Sequence, residues 1–357
     1  MMSIEKERIA LFALVFMLAI SLIGASYARY LIYTAPVVIF FIWLTTPGLR
    51  IKFNPDLIPF YIIFIFSLLT IHAGGVEGIK TSIFMGVYII TFTLFDFSKI
   101  SIRIDRIGLV LILIFILHAF IGGSAGDAVE FSVLDSKSSF ESTLAFPFGL
   151  ISSYYLIQRQ YIKGIFFGLF ALLGLKRIAL LGVFVIFILI LAPKKIQLLL
   201  VSKLSMVIVS FVYLIFVVSF SYGIYDQYIL NYFGITANHL SQGRQLLWRN
   251  LLDYSNFDFL NFLFIGLGNS KSIIILQDIY GSRVLLHSDI FLIYIEYGLI
   301  LAMLFVITLF AQKRIELSLL PVFLFILFLT DNVLIYQHVM ILYLLCQSQL
   351  RRIYDSA

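Results

Sequence analysis

Four arginines and two histidines between residues 177 and 287 carry the side chains best suited to ligand binding and proton transfer in this chain. They are Arg177, Arg244, Arg249, Arg283, His239 and His287. Guanidinium groups pair bidentately with phosphate oxygens, and two or three of them would neutralise a diphosphate. A histidine side chain titrates near neutral pH and can accept a proton from a hydroxyl group. These residue types together predict a site that binds an anionic ligand and activates a nucleophile.

His287 is the candidate general base, because Asp289 and Arg283 lie close to it in the sequence. The alternatives are that His287 only anchors the end of a loop and that the arginines extend to lipid head groups. Glu296 lies inside a predicted membrane helix, where an ionisable group is costly, so it indicates either function or an ion pair with a basic residue. Trp248 is expected to anchor the chain at a membrane interface.

The sequence contains none of the common motifs that would hold a metal ion or a nucleotide. There is no HExxH, no CxxC and no Walker motif, and the predicted outer loops contain no Asp-x-Asp. The single cysteine, Cys346, excludes a disulfide and a cysteine-based metal site within one chain. We therefore expect no metal and no cofactor, and ATP is not expected to drive the reaction.

The composition predicts a membrane protein. Hydrophobic residues make up 62% of the chain and charged residues only 12%, and the mean hydropathy is +1.06. No soluble domain of this length needs so much apolar surface. The net charge of +6 is modest and falls mostly in predicted cytoplasmic loops, so nucleic acid is not expected as a partner.

The apolar runs predict an all-α, polytopic membrane protein with about twelve spans, each judged against the ~20 residues that cross a bilayer. The spans lie near residues 9–25, 30–46, 57–73, 81–95, 107–121, 140–157, 161–175, 178–192, 205–225, 288–310, 317–334 and 338–350. Residues 164–192 would also fit one long helix, but that helix would bury Lys176 and Arg177 near the bilayer centre. Two short spans that meet at these residues avoid this cost.

The distribution of basic residues predicts the orientation. With a cytoplasmic N-terminus, most of the 25 Lys and Arg residues lie in alternate, inner segments, so both termini are expected in the cytoplasm. Residues 226–286 then form a large periplasmic loop, and residues 122–139 form a smaller acidic one. Within the large loop, residues 241–252 predict an amphipathic helix with Arg244 and Trp248 on one face. Residues 266–270 predict a turn, and Ser288 is expected to cap the helix that follows.

Five short motifs follow one another between residues 165 and 310. They are Lys176-Arg177-Ile178-Ala179-Leu180-Leu181-Gly182, Gly243-Arg244 with Trp248, Gly266-Leu267-Gly268, Leu286-His287-Ser288-Asp289, and Glu296-Tyr297-Gly298. In this order and spacing they resemble the O-antigen polymerase (Wzy) and O-antigen ligase superfamily. The resemblance implies that Arg177 and Arg244 hold undecaprenyl diphosphate and that His287 acts on the acceptor hydroxyl. It also implies an all-helical, metal-independent membrane glycosyltransferase of the C class. Arg249 and Arg283 match no position of that family.

We therefore expect a polymerase of bacterial O-antigen or capsule at the periplasmic face of the inner membrane. Its donor and acceptor would both be undecaprenyl-diphosphate-linked oligosaccharides, and membrane lipids and a chain-length regulator protein are further expected partners. Two alternatives stay open. An O-antigen ligase shares the donor and the chemistry but uses a lipid A–core acceptor, whereas a lipid-linked oligosaccharide flippase should show two related halves. Residues 1–357 would form a single membrane domain, with residues 165–310 as its polymerase- and ligase-like core.

Overall fold

The computed structural model describes residues 4–23, 31, 33–46, 54–121, 144–174, 176–258 and 261–355. Within these residues the regular structure is entirely helical, which confirms the predicted all-α class. The helices are α1 (Ile4–Ile23), α2 (Thr34–Leu44), α3 (Ile58–Leu69), α4 (Ile71–Leu94), α5 (Ile104–Ile121), α6 (Ala145–Ile157), α7 (Tyr161–Leu173), α8 (Arg177–Leu191), α9 (Lys194–Leu200), α10 (Lys203–Ser221), α11 (Asp226–Phe233), α12 (Ala237–Leu240), α13 (Arg244–Tyr254), α14 (Lys271–Tyr280), α15 (Asp289–Tyr297), α16 (Leu299–Leu309), α17 (Ile315–Thr330) and α18 (Gln337–Asp355). The predicted acidic loop, residues 122–139, lies outside the described residues.

Each predicted span contains a helix or a pair of helices, but most of these helices are short. Among the described helices, α4 and α10 are long and apolar enough to cross a membrane by length and composition. Seven other apolar helical segments of the described chain have between 10 and 17 residues, whereas a crossing needs about 20. The count of about twelve crossings therefore stays a prediction.

The segment 164–192 forms two helices, as predicted. α7 ends at Leu173 and α8 begins at Arg177. Gly174 lies at the end of α7, where a Cβ atom would come within 2.8 Å of the Cβ of Ala145. This close contact fixes the position of the chain where it turns, and it places Lys176 and Arg177 at a helix start instead of a helix centre.

The predicted single helix over residues 288–310 is wrong, because it breaks at Gly298 with φ 92°. A break of this kind leaves backbone carbonyls without helical partners. The backbone N–H groups of Leu267 and Gly268 donate to two carbonyls of the last turn of α15, at 2.9 and 2.8 Å. Gly266 is required here, since a Cβ atom would lie 2.3 Å from the backbone of α15. The Gly-Leu-Gly motif thus lies against the break and satisfies its carbonyls, and a turn follows at Asn269 and Ser270.

The C-terminal helix α18 lies at the centre of the bundle. Every residue of α18 from Gln337 to Leu350 is buried, and α1, α4, α6 and α17 pack around it. By contrast, the outer helices expose large apolar side chains, such as Ile162 of α7, Leu181 of α8 and Leu204 of α10. A helix that is buried on all sides marks a core, and exposed apolar rows are the pattern expected of a lipid-facing surface.

A buried polar cluster ties α17 and α18 to the start of α3 at one end of the bundle. The guanidinium of Arg351 donates to the two carboxylate oxygens of Asp56, at 3.0 and 2.6 Å. Gln312 accepts from Arg351 at 2.9 Å and donates to Asp56 at 3.1 Å. We call these three residues the Asp56 cluster. Asp56 is only 3% exposed, so its charge is neutralised inside the protein.

Helices α8 and α17 run antiparallel, so the start of α8 lies beside the end of α17. Gly182 of α8 packs against the ring of Phe323 of α17, near the middle of both helices. Before the start of α8, Lys176 lies close enough to Asp331, which follows α17, to interact with it electrostatically. The start of α8 and the end of α17 therefore meet at the end of the bundle remote from the Asp56 cluster.

Candidate active site

His287 lies in the short connection between α14 and α15, with its side chain 44% exposed. Its backbone has φ 54°, a left-handed conformation that few non-glycine residues adopt. The conformation is held by a hydrogen bond from the His287 backbone N–H to the side-chain oxygen of Asn332, at 2.7 Å. Positive φ at a partly exposed histidine is the kind of local strain that often accompanies a functional site.

Asp331 is the carboxylate that faces the imidazole of His287. The His287 Nδ1 atom lies 3.8 Å from Asp331 Oδ1, an ion-pair distance that is too long for a hydrogen bond. Oδ1 also accepts from the backbone N–H of Asn332 at 2.8 Å and from the Tyr336 hydroxyl at 3.1 Å. Asp331 follows the last residue of α17, which ends four residues before the end of the predicted span 317–334.

The surroundings of Asp331 favour its ionised form. Burial raises the pKa of this carboxyl, but the imidazole of His287, the N–H of the next residue and the charge of Lys176 outweigh burial and hold the pKa below its ordinary value. A carboxylate that stays charged beside an imidazole stabilises the imidazolium form. The site therefore places an ionised carboxylate beside the imidazole of His287.

Asp289 is close to His287 in the sequence, but its side chain accepts a hydrogen bond from the backbone of another loop. It is buried at the start of α15, and its Oδ2 atom accepts from the backbone N–H of Leu334 at 2.9 Å. Its own N–H donates to the carbonyl of Asp331 at 3.2 Å. Asp289 thus fixes the loop that carries Asp331. Ser288 caps α15 by accepting from the N–H of Phe291 at 3.2 Å, which confirms the predicted cap.

Arg244 begins α13 and reaches the same region from another side. The helix over residues 241–252 was predicted, and the structure begins it at Arg244, after Gly243 with φ 83°. Arg244 is half-buried and close enough to Tyr213 to interact with it electrostatically. The Tyr213 hydroxyl lies 2.9 Å from Ser288 Oγ and donates to the carbonyl of Leu329. Arg244 therefore lies near the start of α15 and the end of α17.

Trp248 is a buried residue, so the prediction of an interfacial anchor is wrong. Only 6% of it is exposed, and its ring packs against Phe220 and Phe291. Its indole N–H donates to the backbone carbonyl of Leu286 at 2.9 Å. Trp248 and Asn332 thus hold the two sides of one peptide group, the carbonyl of Leu286 and the N–H of His287.

Arg249, Arg283 and His239 have other surroundings. Arg249 lies 3.6 Å from Asp253 on the exposed face of α13. Arg283 lies 3.2 Å from Glu77 of α4, and Glu77 also forms an ion pair with Lys80 at 2.5 Å.

His239 lies in the last turn of α12 and is exposed. It borders an open depression with Thr236, Asn238, Gln242 and Gly243. The structure does not give it, or the two arginines above, a contact with His287.

Glu296 is buried and accepts from the Ser272 hydroxyl at 2.5 Å and from the backbone N–H groups of Ser270 and Ser272. It caps the start of α14, which carries no side-chain cap at Ser270. Among the described residues no basic side chain is seen to pair with it, so the ion-pair alternative is not supported. Its contacts assign it a structural role at the Gly298 break.

Five residues meet at the end of the bundle remote from the Asp56 cluster, and we call them the His287 site. They are Lys176, Arg177, Arg244, His287 and Asp331. Arg177, the first residue of α8, is exposed there. Sequence reasoning missed Asp331, Asn332 and Lys176 as site residues. The acid at 331 was detectable, because an ionisable residue in a predicted span deserves the argument applied to Glu296.

In the parts of the chain that the structure describes, no group of three His, Cys, Asp or Glu side chains is placed to hold a metal ion. Comparison of the chain with protein-family models, curated proteins and solved structures found no match.

Proposed function

We propose that this chain is a membrane glycosyltransferase that polymerises a bacterial surface polysaccharide, O-antigen or capsule, from undecaprenyl-diphosphate-linked repeat units. The observation that carries the proposal is the arrangement at the His287 site. A histidine paired with an ionised carboxylate lies at the same end of the bundle as three cations from two other helix starts. A base beside a cationic patch suits a reaction in which an anionic diphosphate leaves as a hydroxyl attacks.

The proposed reaction needs a general base and cationic side chains that bind the leaving diphosphate. The acceptor hydroxyl attacks the anomeric carbon of the donor sugar, and the bond from that carbon to the diphosphate oxygen breaks. Undecaprenyl diphosphate leaves with the bonding electrons, and Arg177 and Arg244 stabilise its charge. The hydroxyl proton passes to the free nitrogen of His287, and Asp331 stabilises the resulting imidazolium, as the acid of a catalytic triad does. No metal takes part in these steps.

The pairing of polar residues supports the proposed topology. Lys6, from a predicted inner segment, donates to Thr45 and Thr46 at the inner end of the predicted span 30–46, at 2.9 and 2.8 Å. On the other side Glu77 pairs with Arg283, both from predicted outer segments. Each of these pairs joins segments of one predicted side. We accordingly propose that both termini are cytoplasmic and that residues 226–286 and the His287 site are periplasmic.

Reporter fusions test this topology directly. A fusion after Asn256 should report a periplasmic location, and a fusion after Asp355 should report a cytoplasmic one. A cytoplasmic signal from the Asn256 fusion would remove the active site from the side where lipid-linked sugars are joined, and the proposal would fail.

Deletion of the gene followed by gel analysis of the surface polysaccharide tests the reaction. For a polymerase we expect a single repeat unit on the acceptor. For a ligase the acceptor should carry none while polymer stays on its carrier lipid. Loss of all lipid-linked repeat from the periplasmic face would indicate a flippase instead. A chain-length regulator protein remains a proposed partner, tested by the length distribution of the polymer when the two are co-expressed.

A further inference from the structure

An apolar groove lies along α8, beginning about one turn after the cations at the start of that helix. It has a volume of about 260 Å³ and is formed by α6, α7 and α8. Its lining residues are Ser152, Leu156, Gly164, Ile165, Gly168, Leu180, Val183, Phe184 and Phe187. The only hydroxyl in this set, Ser152 Oγ, donates to the carbonyl of Gly164 at 2.7 Å. The groove therefore offers apolar surface without an unsatisfied polar side chain.

Two glycines on α7 shape the groove. Gly164 packs against Leu156 so closely that a Cβ atom would lie 2.8 Å from that side chain. Gly168, one turn later, leaves the space in front of Ser152 open, since its Cβ would meet only the hydroxyl at 3.2 Å. Small residues four apart let membrane helices approach closely. Here they bring α7 onto α6 and leave a recess beside α8.

The groove and the cations lie on one stripe of α8. Leu180, Phe184 and Phe187 follow Arg177 by three, seven and ten residues, which is the repeat of one helical face. At a rise of ~1.5 Å per residue, the groove begins about one turn below Arg177 and ends about 15 Å below it, so it extends about 10 Å along the helix. A cationic head region above an apolar recess matches an amphiphile with an anionic head and a hydrocarbon chain.

We propose that this groove holds the first part of the prenyl chain of the lipid-linked donor while its diphosphate lies at the His287 site. The inference rests on the proposed function for the identity of the lipid. Charge complementarity and continuity with the site select an anionic lipid, since Lys176 and Arg177 lie about one turn before the first groove residue of α8, Leu180. Binding the chain here would orient the diphosphate before reaction, because burial of apolar surface is favourable and fixes the attached head group.

A pair of neighbouring substitutions provides the kinetic test. Leu180→Trp fills the groove, whereas Leu181→Trp adds the same bulk to an exposed position of α8 outside it. Purified proteins would be compared with two synthetic donors, one with a short prenyl chain and one with the full undecaprenyl chain. We expect wild type and Leu181→Trp to have a lower KM for the long chain. In Leu180→Trp the KM for the long donor should rise about tenfold, as when two methylenes lose their burial, with kcat unchanged. An unchanged preference for the long chain would overturn the proposal.

Photo-labelling tests the groove in the wild-type protein. Its result depends neither on turnover nor on whether a variant folds. The probes are undecaprenyl diphosphate with a diazirine in its prenyl chain and phosphatidylglycerol with a diazirine in an acyl chain. We expect the prenyl probe to label peptides of α7 and α8, with competition from undecaprenyl phosphate but not from phosphatidylglycerol. Equal labelling by both probes would identify a general lipid site and overturn the proposal, as would prenyl labelling elsewhere.

The two experiments separate the groove from the reaction. If wild type joins neither donor but the prenyl probe still labels α7 and α8 with the expected competition, the polymerase proposal fails and the prenyl groove stands. If turnover is normal and the prenyl probe labels other helices, the proposal of a prenyl groove fails and the polymerase proposal stands. Phe184→Ala supplies a second variant, since this exposed residue is removable without loss of core packing and should also raise the KM for the long donor.

Discussion

The Asp56 cluster and the His287 site contain similar residue types but use them differently. In the Asp56 cluster one arginine, one carboxylate and one amide bind each other at 2.6 to 3.1 Å, and the carboxylate is buried. In the His287 site the carboxylate of Asp331 lies 3.8 Å from an imidazole that is 44% exposed. The first arrangement satisfies its charges within the protein. The second places His287 and Lys176 beside one ionised carboxylate, has Arg177 and Arg244 at the same end of the bundle, and leaves part of the histidine accessible.

The difference separates a structural ion pair from a site that can receive a ligand. Removing one partner of a buried pair leaves an uncompensated charge and destabilises the fold. Removing a group that acts on a ligand should change turnover or binding and leave the folded protein intact. Substitutions at the two ends should therefore affect different measurements.

The largest effect on turnover is expected from His287→Gln. Glutamine keeps hydrogen-bonding capacity but cannot act as a base near neutral pH, so the rate should fall on the order of 10²–10⁴ while donor binding is kept. Single-turnover assays with a synthetic lipid-linked repeat would measure it. His239→Gln, at an exposed histidine of the same large loop, is the matched control and should be neutral. Near-native turnover in the His287→Gln variant would remove this residue from the mechanism.

At the opposite end, Arg351→Ala should lower stability and leave the chemistry unchanged. The substitution leaves the buried carboxylate of Asp56 without its guanidinium partner, which lowers the free energy of unfolding by about 3–5 kcal/mol. We expect reduced yield and a lower melting temperature, with normal kcat for the molecules that fold. Replacing Asp56 and Arg351 together by leucine should recover much of the loss, because no buried charge is left alone. A variant with normal stability and lost turnover would contradict the contrast between the two ends.

Arg177→Ala and Arg244→Ala should each weaken donor binding and abolish visible polymer without loss of membrane insertion. One charge-assisted contact to phosphate contributes about 1.5–3 kcal/mol, equivalent to about 10- to 100-fold in affinity. Lysine at either position should rescue only in part, because it cannot pair bidentately. Arg249→Ala, on an exposed ion pair of α13, serves as the control and should bind donor normally. Full activity in both alanine variants would refute the proposal that these arginines bind the diphosphate.

Trp248→Phe should produce the smallest of these effects. It removes the hydrogen bond to the buried carbonyl of Leu286, which costs about 1 kcal/mol or more. Because that bond helps to hold His287, we expect kcat to fall about fivefold with little change in KM. The other tryptophan gives a matched control: among the described residues the Trp43 indole N–H has no hydrogen-bond partner, so Trp43→Phe should be neutral. Equal behaviour of the two variants would rule out a positioning role.

Local patterns predicted the helices and several of their ends. The break at Lys176 and Arg177 followed from the cost of two charges in a bilayer, and the cap at Ser288 followed from its position before an apolar run. The break at Gly298 was not predicted, because an apolar run continues through it and the reason for it lies in residues 266–268. Those residues supply the hydrogen bonds that make the break tolerable.

The sequence by itself determined the helical class, the positions of the apolar segments and the residue types available for binding a diphosphate, because periodicity and composition act locally along the chain. Only the tertiary structure decided which charges meet. It placed Asp331 beside His287, and it made Asp289 the acceptor of a backbone N–H. It also paired Arg283 with Glu77 and buried Trp248. The physical reason is that ion pairs and positioning hydrogen bonds join residues from separate helices, and helix packing, not sequence spacing, brings those residues within a few ångströms.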